Sequence, residues 1–286
     1  MFYDQYQWMP DYSRYNPVKM AGELTTALPA SRPGAAKPHL RLRLLNFNMQ
    51  IGLHTRHYGD YLTRAWRHVL PSPGMRANLD RIAELIGPYD VVALQEGDAG
   101  SLRTLWRNQI EYLAHRAHFP HFGLTITRDL RPITRHCLGY LSRIPPRRVD
   151  EFHLPSPIPG RRALSVKLGG DAGDLEVVIA HLSLGARARH QQLDFLSGRL
   201  PRNRPVVLLG DLNCEPEDLL RHPGLRDSGL CVSPHSPATF PSWRPHRRID
   251  HVLVSPEVRV YSLEALSRTT SDHLPLAVEI GIPTRM

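Results

Sequence analysis

Between residues 41 and 282 the chain alternates short apolar runs with polar segments. Six of those runs end at, or run directly into, a side chain capable of acid–base or hydrogen-bond chemistry: Asn48, Glu96, His181, Asp211 with Asn213, Asp250, and Asp272 with His273. This pattern constrains the fold strongly. Apolar runs such as Val91-Val92-Ala93-Leu94 and Val206-Val207-Leu208-Leu209 read as buried strands. Strands are also expected over 41–49, 124–127, 138–141, 163–168, 175–182, 249–254, 258–263 and 276–280. Met75, Leu79, Ile82 and Ile86 share one helical stripe that Gly87-Pro88 stops. Further helices are predicted over 102–117 and 188–196. Strand and helix alternate irregularly, several strand pairs are close enough to be hairpins, and no repeat or linker interrupts the series. The expected architecture is α/β: two mixed β-sheets packed face to face with helices outside, in one domain.

That domain is assigned to residues 40–286. Residues 1–39 carry aromatics and prolines with no period of 2 or 3.6, and Pro29, Pro33, Gly34 and Pro38 close the stretch. It reads as an N-terminal arm outside the core. The start, Met1-Phe2-Tyr3-Asp4-Gln5, has no basic or apolar leader, and no apolar run is long enough for a membrane span. The three cysteines, Cys137, Cys214 and Cys231, are odd in number and lack CxxC spacing. Disulfides and structural zinc are therefore not expected, and a cytoplasmic location fits.

The formal net charge is +9, from 36 Lys+Arg against 27 Asp+Glu, and arginine predominates. Arginine suits bidentate contact with phosphate. A GC-rich coding sequence explains the same excess, so charge alone supports an anionic partner without choosing among nucleic acid, lipid head group and small phosphate ester.

Taken singly, each polar strand end has an ordinary explanation. A strand-end Asp is commonly a turn former, and a histidine after a strand commonly sits satisfied at a surface. Occurrence at six strand ends is another matter. Asp211 and Asn213 lie two apart, on one face if the segment is extended. Asp272 adjoins an imidazole at the entry to the last strand. Carboxylates, an amide and a histidine are the parts needed to activate water beside a metal-bound phosphate.

The local words Leu45-Asn46-Phe47-Asn48, Leu94-Gln95-Glu96, Ala180-His181-Leu182-Ser183, Gly210-Asp211-Leu212-Asn213, Arg248-Ile249-Asp250-His251 and Ser271-Asp272-His273-Leu274-Pro275 resemble, in order and spacing, the motifs of the endonuclease/exonuclease/phosphatase superfamily. Leu138-Gly139-Tyr140-Leu141-Ser142-Arg143 resembles that family's strand ending in Ser-Arg. The resemblance implies the deoxyribonuclease I-like four-layer α/β sandwich and hydrolysis of phosphoric esters with Mg²⁺ or, alternatively, Mn²⁺. It implies that Glu96 ligates the metal with Asn48 close to it. Asp211 would orient or deprotonate the attacking water, and Asn213 would bind the phosphate. His181 and His273 would contact the scissile group, with Asp250 orienting His181 and Asp272 holding His273. One carboxylate and an amide suffice for Mg²⁺, which keeps several of its waters.

Two departures stand out. Gln50 lies where some base-excision members have a second acid, so a second metal site does not carry over. Arg135-His136-Cys137-Leu138 replaces the stretch where many members have an Asn. His181 aligns the chain more with the deoxyribonuclease I, deadenylase and sphingomyelinase branches than with the abasic-site branch.

The leading expectation is a nuclease-like phosphodiesterase. The alternative is a phospholipid- or sphingomyelin-type phosphodiesterase or a phosphomonoesterase, for which Tyr58, Tyr61, Trp66 and Val69 would form an apolar lip. Arg103 and Arg107, one helical turn apart, are expected on a solvated helix face or against an anion. A non-catalytic binding protein is least favoured, because Glu96, Asp211 and His273 are all present. No protein partner is inferable. Removal of residues 1–39, which hold none of these motifs, should leave hydrolysis of a small chromogenic diester within a few-fold of the full chain. A truncated protein that is folded by circular dichroism yet inactive would place the arm in the site.

Overall fold

The computed structural model describes residues 39–53, 70–72, 74–157, 159–170, 173–233 and 235–284. The expected arm, apart from His39, and the expected lip residues Tyr58, Tyr61, Trp66 and Val69 lie outside the described residues. In chain order the strands are β1 (His39–Asn48), β2 (Val91–Asp98), β3 (His121–Leu130), β4 (Thr134–Ser142), β5 (Pro146–His153), β6 (Arg162–Gly170), β7 (Gly173–His181), β8 (Val206–Asp211), β9 (Cys231–Val232), β10 (Asp250–Val254), β11 (Arg259–Ala265) and β12 (Leu276–Pro283). The helices are α1 (Gly74–Ile86), α2 (Gln109–Arg116), α3 (Ala186–Ser197), α4 (Pro216–Arg221) and α5 (Pro223–Ser228).

Two six-stranded sheets form, in the orders β11-β12-β1-β2-β4-β3 and β5-β6-β7-β8-β10-β9. Each has a single parallel pair at its centre, β1 with β2 and β7 with β8, and antiparallel neighbours elsewhere. A parallel pair needs a crossover. The segment containing α1 makes the first crossover and α3 the second.

Alternate residues leave a strand on opposite faces, and here both faces are covered, which is why the central strands read as unbroken apolar runs. Leu42, Leu44, Val91, Ala93 and Leu138 of the first sheet meet Leu164, Val177, Ile179, Val207 and Leu209 of the second, forming the inner layer. Leu45, Phe47, Val92 and Leu94 face outward onto Met75, Leu79 and Ile82 of α1 and Ile110 and Leu113 of α2. Val178, Ala180 and Leu208 face Leu193 and Leu196 of α3 on the far side. Full burial of each such side chain contributes roughly 1.5–3 kcal/mol. The four-layer α/β sandwich expected from the sequence is the observed fold.

Several elements differ from expectation: β9, α4 and α5 have no counterpart among the expected elements, and two further differences have clear physical causes. The predicted helix 102–117 divides into a 3₁₀ turn, Leu102–Thr104, and α2. Buried Asp98 causes the break. It accepts hydrogen bonds from Gly100 N (2.9 Å), Ser101 Oγ (2.7 Å) and Arg103 Nε (2.6 Å), gathering the turn around itself. Leu105 and Trp106 then take left-handed φ of 53° and 62°, and Asn108 recaps the chain by accepting from Ile110 N and Glu111 N. Arg103 is thereby buried against Asp98 rather than sharing a solvated helix face with Arg107. The second difference is β5, which the sequence reading passed over. It is an edge strand of the second sheet, and its Arg147, Arg148, Asp150 and Glu151 give it the charged character by which edge strands avoid further pairing.

Gly210 fixes how closely β8 approaches β7. A Cβ there would overlap the carbonyl oxygen and carbon of Ala180 on the neighbouring strand. Gly210→Ala should therefore destabilise the fold by at least about 1–3 kcal/mol, the usual range for overpacking. Urea denaturation measures this, and an unchanged midpoint would contradict the close approach.

Candidate active site

Strands β7, β8 and β10 are neighbours, and their carboxyl- or amino-terminal residues fall in register. His181 lies opposite Asp211, and Asp211 lies opposite Asp250. Register partners project from the same face. Because Ile179, Val207, Leu209 and Val252 belong to the inner layer, the period of two puts all three polar side chains on that face, at its rim.

The first sheet supplies the opposing groups. Asn46 and Asn48 continue the inner-facing series of Leu42 and Leu44 on β1. Glu96 arrives differently. Leu94 faces the helices, and two residues on in a regular strand Glu96 would do the same. A register slip between Leu94 and Gly97, with φ of 54° at Glu96, turns the carboxylate inward instead. Bulges commonly re-aim a side chain in this way. His273 reaches the site from the turn before β12, which is pinned by Ser271 Oγ donating to Asn48 O (2.8 Å) and Ser242 N donating to Asp272 O (2.7 Å).

Asp211 Oδ2 stands at the centre. Asn48 Nδ2 donates to it at 3.1 Å, and His181 Nε2 and His273 Nε2 lie 3.6 and 3.8 Å away. Its other oxygen accepts from Asn213 N at 3.0 Å. Asn48 Nδ2 also donates to Glu96 Oε1 (3.3 Å), so one amide joins the two carboxylates across the sheets. Asp250 Oδ2 accepts from His273 Nδ1 (2.8 Å) and Thr239 Oγ1 (2.6 Å). Behind it, Gln95 Nε2 donates to Asn46 Oδ1 (2.8 Å) and Asn46 Nδ2 reaches Asp250 Oδ1 (3.5 Å).

Burial sets the protonation of these groups. It raises Asp211 to about 7 against the opposing pull of His273. Burial and then the charge of Asp272 raise Glu96 above its ordinary value. The two histidines diverge. Burial, with Arg161 and His273 adding to it, drives His181 well below the usual imidazole value and keeps it neutral. Burial acts in the same direction on His273, yet the hydrogen-bonded Asp250 carboxylate, helped by Asp272 and Asp211, carries it well above that value and keeps it cationic.

Asn48, Glu96, His181, Asp211, Asn213, Asp250, Asp272 and His273 converge on this rim, but three pairings differ from those expected. Asp250 orients His273, not His181, because the inward row of β10 points at the turn that carries His273. Asp272 accepts from Ser271 Oγ (3.0 Å) while Asp250 takes the His273 ring. Asn213 does not extend the strand beside Asp211. It has left-handed φ of 55°, and its Nδ2 donates to Leu182 O at 3.0 Å. Sequence reasoning missed Arg161, a largely buried cation whose Nη1 donates to His181 O at 3.3 Å. It follows Pro159-Gly160 in a loop, where no periodicity points to it. Asn46 was accessible in principle, since it precedes Asn48 by two on the same strand face.

Metal-binding capacity is judged from the donors. Glu96 offers a carboxylate that is one-third exposed, next to the further negative charge of Asp211, which suits a hard divalent cation. Asn48 turns its amide nitrogen to the carboxylates, and its oxygen accepts from Gln50 N at 3.2 Å. Asp211, Asp250 and His273 also bring ligand atoms within 4.8 Å of one another, but the His273–Asp250 hydrogen bond occupies part of that set. A separate His190–Asp194–His222 group lies on α3 and the α4–α5 junction, where His222 Nδ1 is engaged in capping α5 through Leu225 N.

The whole arrangement agrees with the similarity to known proteins. The chain belongs to the Endonuclease/Exonuclease/phosphatase family, whose model matches residues 45–273. Members of this family are phosphoric ester hydrolases. Among solved structures, the chain is similar to an endonuclease/exonuclease/phosphatase from Beutenbergia cavernae, with 23% identity and a TM-score of 0.68 over 85% of this chain and 72% of that one. It is also similar to a mannosyl-6-phosphatase from Bacteroides thetaiotaomicron (17%, TM-score 0.60, 84% and 99%). A third similar structure is ANGEL2, a 2′,3′-cyclic phosphatase, in complex with adenosine-2′,3′-vanadate (14%, TM-score 0.63, 86% and 96%). No curated protein matches the sequence significantly. No helix among the described residues is long and apolar enough to cross a membrane.

The raised Asp211 has a thermodynamic consequence. An acid with a folded pKa above its unfolded value of about 4 takes up its extra proton only when folded. Its contribution to stability is therefore fully favourable below pH 4 and declines as pH rises toward about 7, where the buried carboxylate ionises. In chelator, Asp211→Asn should melt higher than wild type at pH 8, and the gap should close toward pH 4. A wild type that melts higher at pH 8 contradicts the burial argument.

Proposed function

We propose that this chain is a divalent-metal-dependent phosphodiesterase that uses Asp211 as the base for an attacking water. One observation carries the reading: a single buried oxygen, Asp211 Oδ2, faces an amide and two histidines of opposite charge state. Its pKa of about 7 suits a base working near neutrality. Water attacks phosphorus as Asp211 accepts its proton, the P–O ester bond breaks, and the leaving oxygen departs as an anion that takes its proton from solvent. His273, held cationic by Asp250, donates to the phosphoryl oxygens where charge develops. Neutral His181 donates a further hydrogen bond, and Arg161, hydrogen-bonded to the His181 carbonyl, adds positive charge beside it. Asn213, fixed by Leu182 O, shapes the floor under Asp211 and keeps the phosphate-contacting role inferred from its motif. A cation at Glu96, Mg²⁺ or Mn²⁺, supplies charge neutralisation to the phosphate, and Asn48 holds the Glu96 carboxylate in place.

The preferred substrates are nucleic acids or nucleotide diesters; the excess of arginine supports an anionic partner and is shared by the other phosphate-ester classes. A phosphomonoesterase is the second reading, favoured by the similarity to a mannosyl-6-phosphatase. Lipid head groups are the remaining anionic class. The three cysteines, free among the described residues, suit the cytoplasm.

Hydrolysis of bis-p-nitrophenyl phosphate should vanish in EDTA and return with Mg²⁺ or Mn²⁺, and Glu96→Gln should need far more metal for half activity. Full turnover in chelator would falsify the metal requirement. Asp211→Asn should lose on the order of 10²–10⁴ in rate with folding intact, and His273→Ala should lose a similar amount. The double variant should lose much less than the product, because groups acting as one unit are not additive. Near-normal turnover in folded Asp211→Asn removes it as the base. Comparison of the diester with its monoester separates the two readings.

A further inference from the structure

We propose that Arg128, His136 and Arg161 form a second anion subsite at the mouth of the site, which takes a phosphate group adjoining the scissile one. The inference rests on the phosphodiesterase reading and narrows its substrates to those carrying a neighbouring phosphate.

The subsite depends on a second β-bulge. Ile126 of β3 packs toward the helices, and Arg128, two residues on, would follow it in a regular strand. A register slip between Ile126 and Arg128 instead sets Arg128 opposite His136. His136 lies on the face of β4 that also carries Leu138 and Tyr140 into the inner layer, so the Arg128 and His136 side chains both project toward the second sheet.

The second sheet meets them there. Gly160 has φ of 103°, and a Cβ on it would overlap the Thr127 carbonyl oxygen and stand 3.7 Å from Arg128 Cα. Only glycine lets the loop before β6 lie directly on the bulge. Arg161, the next residue, therefore emerges beside Arg128, and its Nη1 donates to the backbone of His181. The electrostatics agree with this placement. Burial lowers Arg161, Glu96 and Asp211 oppose that, and Arg128 adds a repulsive share. His136 likewise contributes to depressing His181.

The neighbouring acids are already engaged. Asp129 pairs with Arg131 (2.9 Å) and Arg135 (3.7 Å), and Glu151 with Arg162 (2.7 Å). Arg128 is exposed, and among the described residues it makes no hydrogen bond or ion pair. Two guanidinium groups and an imidazole thus converge at the edge of a phosphate-processing site. Guanidinium forks fit phosphate oxygens in pairs, and an anion bound between them relieves their repulsion. Substrates of this description include an oligonucleotide with its flanking phosphate and a nucleotide with a terminal phosphomonoester.

The test compares dTpdT with 5′-phosphorylated pdTpdT under Mg²⁺. The wild type should favour pdTpdT in kcat/KM, and Arg128→Gln should reduce the pdTpdT/dTpdT ratio about tenfold, the effect of one charge-assisted contact. Arg128→Lys should recover part of the ratio, which a purely structural role would not predict. A parallel measurement needs no turnover. In EDTA at low ionic strength, thymidine 3′,5′-bisphosphate should bind the wild type about tenfold more tightly than thymidine 5′-monophosphate, and Arg128→Gln should erase the difference. Equal binding of the two nucleotides, or a ratio indifferent to Arg128, overturns the subsite. Bisphosphate preference without hydrolysis of either dinucleotide instead sustains the subsite and overturns the diesterase reading.

Discussion

The site depends on the lateral pairing of three strand ends. With β7, β8 and β10 in their observed register, His181, Asp211 and Asp250 form a row on one face. A shift of one residue in any of these pairings would send part of the row to the opposite face. Register is held by apolar residues far from the chemistry, since Val177, Ile179, Val207 and Leu209 must face the inner layer while Val178 and Leu208 face α3. Gly210 adds the last constraint by letting the β8 backbone approach Ala180 where a side chain could not fit. Packing energy spread through the sandwich thus specifies positions at its rim, and the rim contributes little to that energy itself.

Burial makes this row reactive. Asp211 is removed from water beside a cationic histidine and a neutral one, and its affinity for a proton rises accordingly. Such an arrangement opposes stability, as do the left-handed backbones of Glu96 and Asn213, neither of which is glycine. These unfavourable features coincide with the groups assigned to chemistry, as expected where function selects an environment that folding alone would avoid. The Gln95–Asn46–Asp250–His273 chain supports them from behind. Gln95, Asn46 and Asp250 are almost wholly buried, so the orientation of His273 is set from the protein interior while its other ring nitrogen faces the site.

Much of this was legible in the sequence because its information was periodic or local. Apolar runs located the central strands, and the polar residue at each run's end located the site. What periodicity does not report is where a period breaks. The bulge at Glu96 changes the direction of a side chain without changing the composition around it, and the same holds for Arg128. The pairing of Asp250 with His273 joins positions 23 residues apart, one at a strand end and the other in the turn before β12, and neither local word contains that partner. Arg103 illustrates a different limit. Its helical spacing from Arg107 was a sound local argument, overridden by a buried carboxylate at Asp98 that needed donors. β5 escaped notice because an edge strand keeps polar residues on its open side, so its pattern resembles a loop.

On the proposed assignment, the groups that act on the scissile phosphate and the anion subsite draw mainly on different parts of this fold. Most of the former come from strand ends within the two sheets, where a substitution disturbs a packed layer, and His273 comes from the turn before β12. Arg128 and His136 come from β3 and β4, toward one edge of the first sheet, and Arg161 from the loop before β6; Arg128 is exposed and the other two are partly buried. The bulge on β3 and the glycine at position 160 then act as a pair: one turns an arginine inward, and the other brings a second arginine against it. A change in either would redirect a cation without replacing Asp211, His273 or Glu96, although Arg161 also acts on the charge of Glu96 and His181. With Asp211 as the proposed base, this separation would give a physical reason why one sandwich can carry different phosphate esters to the same groups: the edge would decide which anion enters, and the centre what happens to it.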